Sequence, residues 1–339
     1  VQTCALPIYI LTWSNTSITF KVPLNATSGK IILNINNLQI DCGDFDVTLV
    51  DFVKQLNITG NRIAINKTNN NIYTCNSNYI YKYDYNGNLI KQWGGQSSGN
   101  WQFTQIKDIA LDNQENFYVT DSGYIKKYDA NGNFIIKWED SSISLTTDSN
   151  NNVYTMYSYD GTTGYYYISM YDSSGNFNKK IGFYRYGSSS FAYPYNLRIN
   201  SSNILYFSLC SSVSSAYDPS NSVQTINPYN VSEKSSIKEF YLQDYSSIRP
   251  YCIAVDANNN TYIVEKDSSG NQGNYIEIFN SANTSITKFG GIGTEIGKFK
   301  SPEGIAVDSL NNFYVLDTGN NRVQVFKIPW LKFNWVHIT

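Results

Sequence analysis

The chain contains few side chains that could perform acid–base chemistry. Its only histidine, His337, lies close to the end of the 339 residues. A Ser-His-Asp triad or a histidine-based zinc site needs imidazole groups that the rest of the chain does not supply. Residues 95–99 read Gly-Gln-Ser-Ser-Gly, the pattern of a nucleophile elbow, but no helix is predicted after them. We therefore interpret His337 as structural, assign no catalytic, cofactor-binding or metal-ligating residue, and expect no cofactor and no enzymatic activity.

Carboxylates recur along the chain and offer a second kind of chemistry, calcium binding. Four aspartates directly follow short β-rich runs, namely Asp112, Asp148, Asp256 and Asp308. An aspartate at a strand end also caps the next turn through its side-chain oxygen, and these loops are too short for an EF-hand. We interpret the four as turn caps. The same interpretation applies to the acidic residues that end the following runs, Asp121, Glu265 and Asp317.

The elements that must position these side chains are short strands. Residues 301–327 contain three runs of alternating residues, and clusters rich in Asn, Asp and Gly separate the runs. A period of two predicts strands, and Asn, Asp and Gly tolerate the positive φ of hairpin turns. One such meander cannot bury both of its faces, so we expect further copies beside it.

Copies of this unit recur through the chain. The central residue of each first strand returns at intervals of roughly 36 to 56 residues, at Ala64, Ala110, Thr146, Arg198, Ala254 and Ala306. An Asn-containing turn and a Tyr-containing strand follow each one, and Asn-Gly or Ser-Gly hairpins follow three of them. Trp-Gly-Gly and Phe-Gly-Gly spacers separate some units.

The last unit is the most regular. It reads Pro-Glu-Gly-Ile-Ala-Val-Asp over residues 302–308, Asn-Phe-Tyr-Val-Leu-Asp over 312–317 and Asn-Arg-Val-Gln-Val-Phe over 321–326. This unit resembles the NHL repeat of β-propellers. The resemblance covers roughly residues 47–327 and implies an all-β, six-bladed β-propeller with four-stranded antiparallel blades. The fourth unit departs most, because Arg198 replaces a small inner residue and residues 208–223 resemble an inserted loop.

The two ends of the chain lie outside the repeats. Residues 1–8 resemble a translated sequencing adapter and are set aside. Residues 9–46 contain four alternating runs and are predicted to form a short N-terminal β extension. This extension is either the remnant of a β-sandwich or an arm that adds a strand to a neighbouring subunit. Residues 47–339 are predicted to form the propeller, with residues 47–52 or the tail at 330–338 closing the ring.

The chain has five cysteines and no Cys-x-x-Cys pair, which excludes a zinc ribbon and a thioredoxin-like site. Cys210 ends a second strand and Cys252 begins the first strand of the next unit, so a disulfide between them is geometrically reasonable. Cys75 ends another second strand on the same rim and could pair with Cys42. The alternative is that these are small buried apolar side chains, and we favour the disulfides. Cys4 lies within the segment that was set aside.

Composition limits the environment and the partners. Hydrophobic residues make up 41% of the chain, charged residues 15%, and the net charge is −2. Nothing here would hold a polyanion, so we expect no nucleic acid partner, and no apolar stretch is long enough to span a membrane. A surface rich in Asn, Ser, Thr and Tyr is typical of secreted or cell-surface proteins. Eight Asn-x-Ser/Thr sequons are glycosylation candidates, at Asn15, Asn25, Asn57, Asn66, Asn200, Asn230, Asn259 and Asn283.

These patterns favour three functions. The first is a non-enzymatic, secreted or cell-surface propeller that forms a homo-oligomer or an extracellular polymer through its N-terminal strands. The second is an adhesion module that binds a glycan or a surface protein through exposed aromatic side chains. The third, which the resemblance to propeller enzymes implies, is a lactonase- or lyase-like enzyme with Ca²⁺ held by carboxylates.

Overall fold

The computed structural model describes residues 9–14, 17–21, 29–35, 38–45, 50–95, 99, 102–157, 166–183, 192–211, 222–228, 239–241, 248–267 and 274–328. These residues are all-β, with no α-helix and one 3₁₀ turn at Thr318–Asn320. No helix among them has the length and apolar character needed to cross a bilayer. The chain divides into two compact units, one of which is Phe52–Val325 and the other of which contains both chain ends.

The smaller unit contains two antiparallel hairpins. They are formed by β1 (Tyr9–Ser14) with β2 (Ser17–Lys21) and by β3 (Gly29–Ile35) with β4 (Leu38–Phe45). Each hairpin is a two-stranded sheet in the described part of the chain. These strands match the four alternating runs expected in residues 9–46. Residues 1–8 and the tail at 329–339, which includes His337, lie outside the described residues.

Six four-stranded antiparallel sheets form the blades of a propeller. Blades 1 and 2 are β6 (Arg62–Ile65), β7 (Ile72–Cys75), β8 (Tyr79–Tyr83) and β9 (Leu89–Gly94), then β10 (Ile106–Leu111), β11 (Phe117–Asp121), β12 (Tyr124–Tyr128) and β13 (Phe134–Glu139). Blades 3 and 4 are β14 (Ser144–Thr147), β15 (Val153–Tyr157), β16 (Tyr166–Tyr171) and β17 (Phe177–Phe183), then β18 (Ala192–Ile199), β19 (Leu205–Ser211), β20 (Ser222–Ile226) and β21 (Glu239–Tyr241).

Blade 5 consists of β22 (Ile248–Val255), β23 (Thr261–Asp267), β24 (Tyr275–Phe279) and β25 (Ser285–Gly290). Blade 6 takes three strands from the last repeat, β26 (Pro302–Val307), β27 (Asn312–Asp317) and β28 (Arg322–Lys327), and its outer strand is β5 (Asp51–Leu56). The ring is therefore closed from the N-terminal side, by a strand that lies a few residues later than the predicted 47–52.

The first strand of every blade lies next to the axis. All six anchor residues, from Ala64 to Ala306, line one axial cavity of about 140 Å³. Small side chains are needed here because six strands converge on a narrow space. This explains the repeated alanine, and it makes Arg198 the exception that needs a partner.

Tryptophans in the outer strands connect neighbouring blades. Trp93 of blade 1 packs against Gly132 in the hairpin of blade 2, where a Cβ would lie 2.1 Å from the indole Nε1. Trp138 of blade 2 packs against Gly175 of blade 3 in the same way, at 2.6 Å from its ring. Both glycines also have positive φ. The recurring Asn-Gly and Ser-Gly pairs thus serve both the hairpin turn and the packing between blades.

Candidate functional site at the axial mouth

Four of the six inner strands begin with a β-bulge, which leaves one residue of each strand out of the ladder. In blade 2 the register shifts between Ile106 and Asp108, which leaves Lys107 unpaired. Blades 4, 5 and 6 have the same shift at Tyr195, Tyr251 and Glu303. A bulge re-aims a side chain without ending the strand. The bulges therefore place Lys107, Tyr195, Tyr251 and Glu303 at the same point of their blades.

These residues surround a pocket that we call the axial mouth. It has a volume of about 460 Å³ and contains the residue three positions before each anchor, namely Asn61, Lys107, Ile143, Tyr195, Tyr251 and Glu303. Arg62, Ser77 and Gln105 also line it. This volume is within the range of about 300 to 1,000 Å³ that is usual for small-molecule pockets.

A buried polar layer lies one residue further along the inner strands. Asp108 is fully buried, accepts a hydrogen bond from Ser144 Oγ of blade 3, and pairs with Arg198 Nη1 of blade 4 at 3.1 Å. Arg198 thus finds the partner that its place at the axis requires, because a buried unpaired charge would be costly. One carboxylate joins three blades.

The same layer connects the blades in sequence. Ser144 Oγ accepts the Leu197 N–H at 3.0 Å, and Asn196 Oδ1 accepts the Ile253 N–H at 3.0 Å. In each case a polar side chain of one blade binds the backbone of the next. The layer satisfies its own polar groups, so it forms the floor of the axial mouth and supports the side chains above it.

The axial mouth carries an excess of positive charge. Lys266 Nζ lies 3.6 Å from Glu303 Oε1 and 4.2 Å from the centre of the Tyr251 ring. Arg62 donates through Nη1 to the carbonyl oxygens of Asn61 and Glu303, at 2.8 and 3.3 Å. Lys107 is half-buried and has no ion-pair or hydrogen-bond partner among the described residues. Among the residues that the structure describes, Arg62 and Lys107 therefore form no ion pair with a carboxylate.

Two tyrosines form an aromatic wall of the mouth. The ring centres of Tyr195 and Tyr251 are 4.8 Å apart with a 45° angle between their planes. Burial raises the pKa of Tyr251 to about 12, although the nearby Arg62 acts in the opposite direction. The Tyr251 hydroxyl is therefore a hydrogen-bond donor at neutral pH and not a base.

The opposite end of the inner strands carries the aspartates considered as calcium ligands. Asp308 Oδ1 accepts the N–H groups of Leu310 and Asn312, and Oδ2 accepts Asn312 Nδ2 and the Tyr314 hydroxyl. Asp112, Asp148 and Asp256 each make the same set of bonds within their own turns. Burial, and next the aspartate, raise the pKa of Tyr118, Tyr262 and Tyr314. These contacts are the turn caps that the sequence predicts.

The acidic residues that end the second strands differ from one another. Asp121 accepts the N–H groups of Thr104 and Gln105 and pairs with Lys126 at 2.7 Å. Asp317 pairs in the same way with Arg322 at 2.8 Å. Glu265 is buried with 1% of its side chain exposed and lies 2.9 Å from Lys288 Nζ. Among the described residues, no three His, Cys, Asp or Glu side chains could together hold a metal ion.

Comparison with known proteins agrees with this architecture. The NHL repeat signature matches residues 299–326. These residues include β26, β27 and most of β28 of blade 6. The chain is a six-bladed β-propeller, and its last unit carries an NHL repeat. The sequence matches none of the curated proteins with which it was compared.

Solved structures share the fold of this NHL-repeat propeller. Virginiamycin B lyase from Staphylococcus aureus is 15% identical, with a TM-score of 0.50 over 79% of this chain and 80% of that chain. A catalytically inactive form of that lyase with quinupristin is 14% identical, with a TM-score of 0.50 over 95% and 99% of the two chains. Raptor from Chaetomium thermophilum is 9% identical, with a TM-score of 0.53 over 82% of this chain and 28% of that chain. At these identities the likeness shows the fold alone.

The comparison with the lyase overturns the expectation that the chain is not an enzyme. Virginiamycin B lyase is an enzyme, and its propeller is similar to this one. The expectation depended on the lack of histidine in the repeats. Glu, Lys and Tyr side chains also serve as acids and bases, and the axial mouth of the NHL-repeat propeller contains all three.

The predicted disulfides are not formed in the structure. Cys75 and Cys252 are both buried free thiols. Cys252 Sγ donates to the carbonyl oxygen of Glu303 in blade 6 at 3.0 Å, so its thiol is directed away from blade 4, where Cys210 lies. The side chains of Cys42 and Cys210 are outside the described part of the structure, as is Cys4.

The sequons fall into different environments. Asn57 is exposed, whereas Asn66 and Asn200 are buried to 5% and 7% exposure and cap turns with their side-chain oxygens. Asn259 and Asn283 are half-buried. Asn15, Asn25 and Asn230 lie outside the described residues.

Sequence reasoning missed the mouth residues because it followed the residues that recur from unit to unit. A signal was present in the repeats themselves. When the units are aligned on their anchors, the column three positions earlier contains Asn61, Lys107, Ile143, Tyr195, Tyr251 and Glu303. Five residue types share this column, whereas four of the six anchors are alanine. Variation at one position of otherwise regular repeats indicates a site that the fold itself does not fix.

Proposed function

We propose that this NHL-repeat propeller binds a small organic anion at its axial mouth. The observation that carries the proposal is the positive charge of Arg62 and Lys107 in a pocket of about 460 Å³, because neither side chain forms an ion pair among the described residues. Asp108 interacts electrostatically with Arg62, but its ion pair is with Arg198. Glu303, the carboxylate that lines the mouth, is shared with Lys266.

Both the charge and the concave shape of the axial mouth favour an anion. Two unit charges 4 Å apart near a protein surface attract by about 4 kcal/mol at an effective dielectric constant of about 20. A concave pocket with apolar walls strengthens such a field relative to an open surface. A carboxylate in the mouth would therefore be favoured over a neutral group of the same shape.

A matched pair of ligands tests this proposal. Cyclohexanecarboxylate and cyclohexanecarboxamide have similar shapes but differ in charge, and their binding to the full chain can be measured by calorimetry. We expect the carboxylate to bind about tenfold more tightly, since hydrogen bonds to charged groups contribute about 1.5 to 3 kcal/mol. Equal affinities for the two compounds would contradict the proposal.

Substitutions locate the binding. Lys107→Gln should weaken carboxylate binding about tenfold and leave carboxamide binding unchanged. The control is Lys180→Gln, which removes the same charge from the outer strand of blade 3, where Lys180 Nζ lies 3.5 Å from the Tyr167 ring. An equal loss in both variants would place the binding elsewhere.

Catalysis at the same mouth is the second candidate function. The 3.6 Å contact between Glu303 and Lys266 favours it, because it places a proton acceptor beside a proton donor at an open pocket. Any ligand found by calorimetry can be incubated with the protein and followed by NMR. Turnover that Glu303→Gln removes, with binding retained, would establish the catalytic role, and an unchanged ligand spectrum would rule it out for that ligand.

The cellular location of the protein and its self-association are the subjects of two separate proposals. We propose that it is secreted or displayed at a cell surface and self-associates through its N-terminal strands. The sequon-rich composition supports the first part, and the two hairpins support the second, because two-stranded sheets are marginally stable unless a further strand pairs with them. Light scattering should show an oligomer that Leu33→Pro, in β3, converts to a smaller species. A monomeric wild-type chain would refute the self-association.

A further inference from the structure

We propose that the anion bound at the axial mouth is an acidic saccharide, that is, a hexuronate or a glycan that carries one. The inference rests on the proposed anion binding and narrows the class of ligand. It follows from how polar and apolar residues are distributed around the ring.

The two halves of the mouth differ in chemistry. Consecutive blades are neighbours around the axis, and blade 6 adjoins blade 1. Blades 6, 1 and 2 contribute the polar residues of the pocket together with one apolar residue, Ile106; the polar residues are Glu303, Asn61, Arg62, Ser77, Gln105 and Lys107. Blades 3, 4 and 5 contribute Ile143, Pro194, Tyr195 and Tyr251. In a ring of six blades these two halves face each other across the axis.

A pyranose ring matches this division. Its hydroxyl groups project from the edge, and its C–H groups form an apolar face. The paired rings of Tyr195 and Tyr251, together with Ile143, form a wall suited to the C–H face. The opposite wall offers hydrogen-bond donors and acceptors of both kinds. A purely apolar anion would leave that wall without partners, which costs binding energy.

The charged groups define the remaining part of the ligand. Arg62 and Lys107 lie in adjacent blades and suit one carboxylate, because Arg62 Nη1 is engaged and its other nitrogen donors have no hydrogen-bond partner among the described residues. Glu303 accepts hydrogen bonds only, so it suits a sugar hydroxyl. The Glu303 carboxylate would repel a phosphate dianion more strongly than it would repel the singly charged carboxylate of a ligand.

Four probes separate this inference from the function on which it rests. The full chain is titrated calorimetrically with glucuronate, cyclohexanecarboxylate, glucose and glucose 6-phosphate. We expect glucuronate to bind about tenfold more tightly than cyclohexanecarboxylate or glucose. Cyclohexanecarboxylate lacks the ring hydroxyl groups, and glucose lacks the carboxylate. Glucose 6-phosphate should bind more weakly than glucuronate.

The failures have different meanings. If cyclohexanecarboxylate binds as tightly as glucuronate, the assignment of a saccharide ligand is wrong, but the proposed binding of an organic anion is retained. If glucose 6-phosphate binds more tightly, the ligand is a phosphorylated compound and the inference falls. If glucose equals glucuronate, or if no probe binds, both the inference and the proposed function fail.

Two variants of Glu303 test the hydroxyl contact. Glu303→Gln keeps an acceptor oxygen, so the preference for glucuronate over cyclohexanecarboxylate should remain about tenfold. Glu303→Leu removes the acceptor, and the preference should fall to about onefold to threefold. The backbone carbonyl that Arg62 and Cys252 contact is unchanged in both variants. Equal preference in the two variants, with unchanged thermal unfolding, would overturn the assigned role of Glu303.

Discussion

The two ends of the inner strands behave in opposite ways. At one end, Asp112, Asp148, Asp256 and Asp308 occupy equivalent positions and make the same bonds to their own turns. At the other end, the residues three positions before the anchors include a lysine, two tyrosines and a glutamate, and they surround an open pocket. Carboxylates occur at both ends, and at the axial mouth one of them, Glu303, lines a pocket of ligand size.

This difference shows how repetition can be interpreted in a propeller. Where blades need the same turn, the same residues recur and form hydrogen bonds with one another. Their polar groups are then paired within the fold and are not available to a ligand. Where the blades meet an open space, equivalent positions differ, and groups such as Lys107 have no partner among the described residues. Substitutions can test whether each carboxylate belongs to the end to which the structure assigns it.

The largest effect is expected in the buried polar layer. Asp108→Ala should destabilise the protein by about 3 to 5 kcal/mol, because it leaves Arg198 without its partner at the axis. Urea denaturation measures the change. The double variant Asp108→Ala with Arg198→Met should recover part of the loss, since no unpaired charge remains. An Asp108→Ala protein as stable as the wild type would show that the layer does not hold the blades together.

The next effect concerns the repeated turns. Asp308→Ala should cost about 3 kcal/mol, because two N–H groups, Asn312 Nδ2 and the buried Tyr314 hydroxyl all lose their acceptor. Asp308→Asn is the matched control, since Asn66 and Asn200 occupy this position in blades 1 and 4. It should cost about 1 kcal/mol. Equal losses in the two variants, measured by urea denaturation, would contradict the cap.

A weaker, pH-dependent effect is expected at Glu265. Burial, and next the neighbouring Glu277, raise its pKa from 4.5 to about 8, with Lys288 acting against them. Between these two pH values the folded protein keeps a proton that the unfolded chain has lost. Stability from this group is therefore complete below pH 4.5 and falls as the pH rises to about 8.

The check for Glu265 is the slope of stability against pH. Urea midpoints measured from pH 5 to 8.5 should fall more steeply in the wild type than in Glu265→Gln, whose amide does not titrate. Asp121→Asn is the comparison at an equivalent strand end, where backbone N–H groups and Lys126 hold the carboxylate. Parallel slopes for wild type and Glu265→Gln would refute the raised pKa.

The fold could be predicted from the sequence, whereas the site could not. The anchors, the Asn-Gly hairpins and the turn aspartates recur in register. Each depends on the conformational preferences of a few neighbouring residues, which the sequence shows directly. The axial mouth depends on a bulge that a period of two does not reveal, and on side chains from all six blades. The pairing of Asp108 with Arg198 joins residues 90 positions apart. The direction of the Cys252 thiol, which decides against the predicted disulfide, is likewise set by packing.

The smallest effect on the fold is expected at the sequons, and it extends the comparison to glycosylation. Asn66 and Asn200 occupy the turn position of the aspartates, and their side-chain oxygens accept N–H groups of Thr68 and Ile204, both at 2.7 Å. An attached glycan would have to leave that buried position, whereas Asn57 is exposed. In a host that glycosylates secreted proteins, mass spectrometry should find a glycan at Asn57 and none at Asn66 or Asn200. Asn57→Gln should change stability by less than about 0.5 kcal/mol. A glycan at Asn66 in a folded protein would place that residue outside the structural turns, and the division between the two ends would then fail at blade 1.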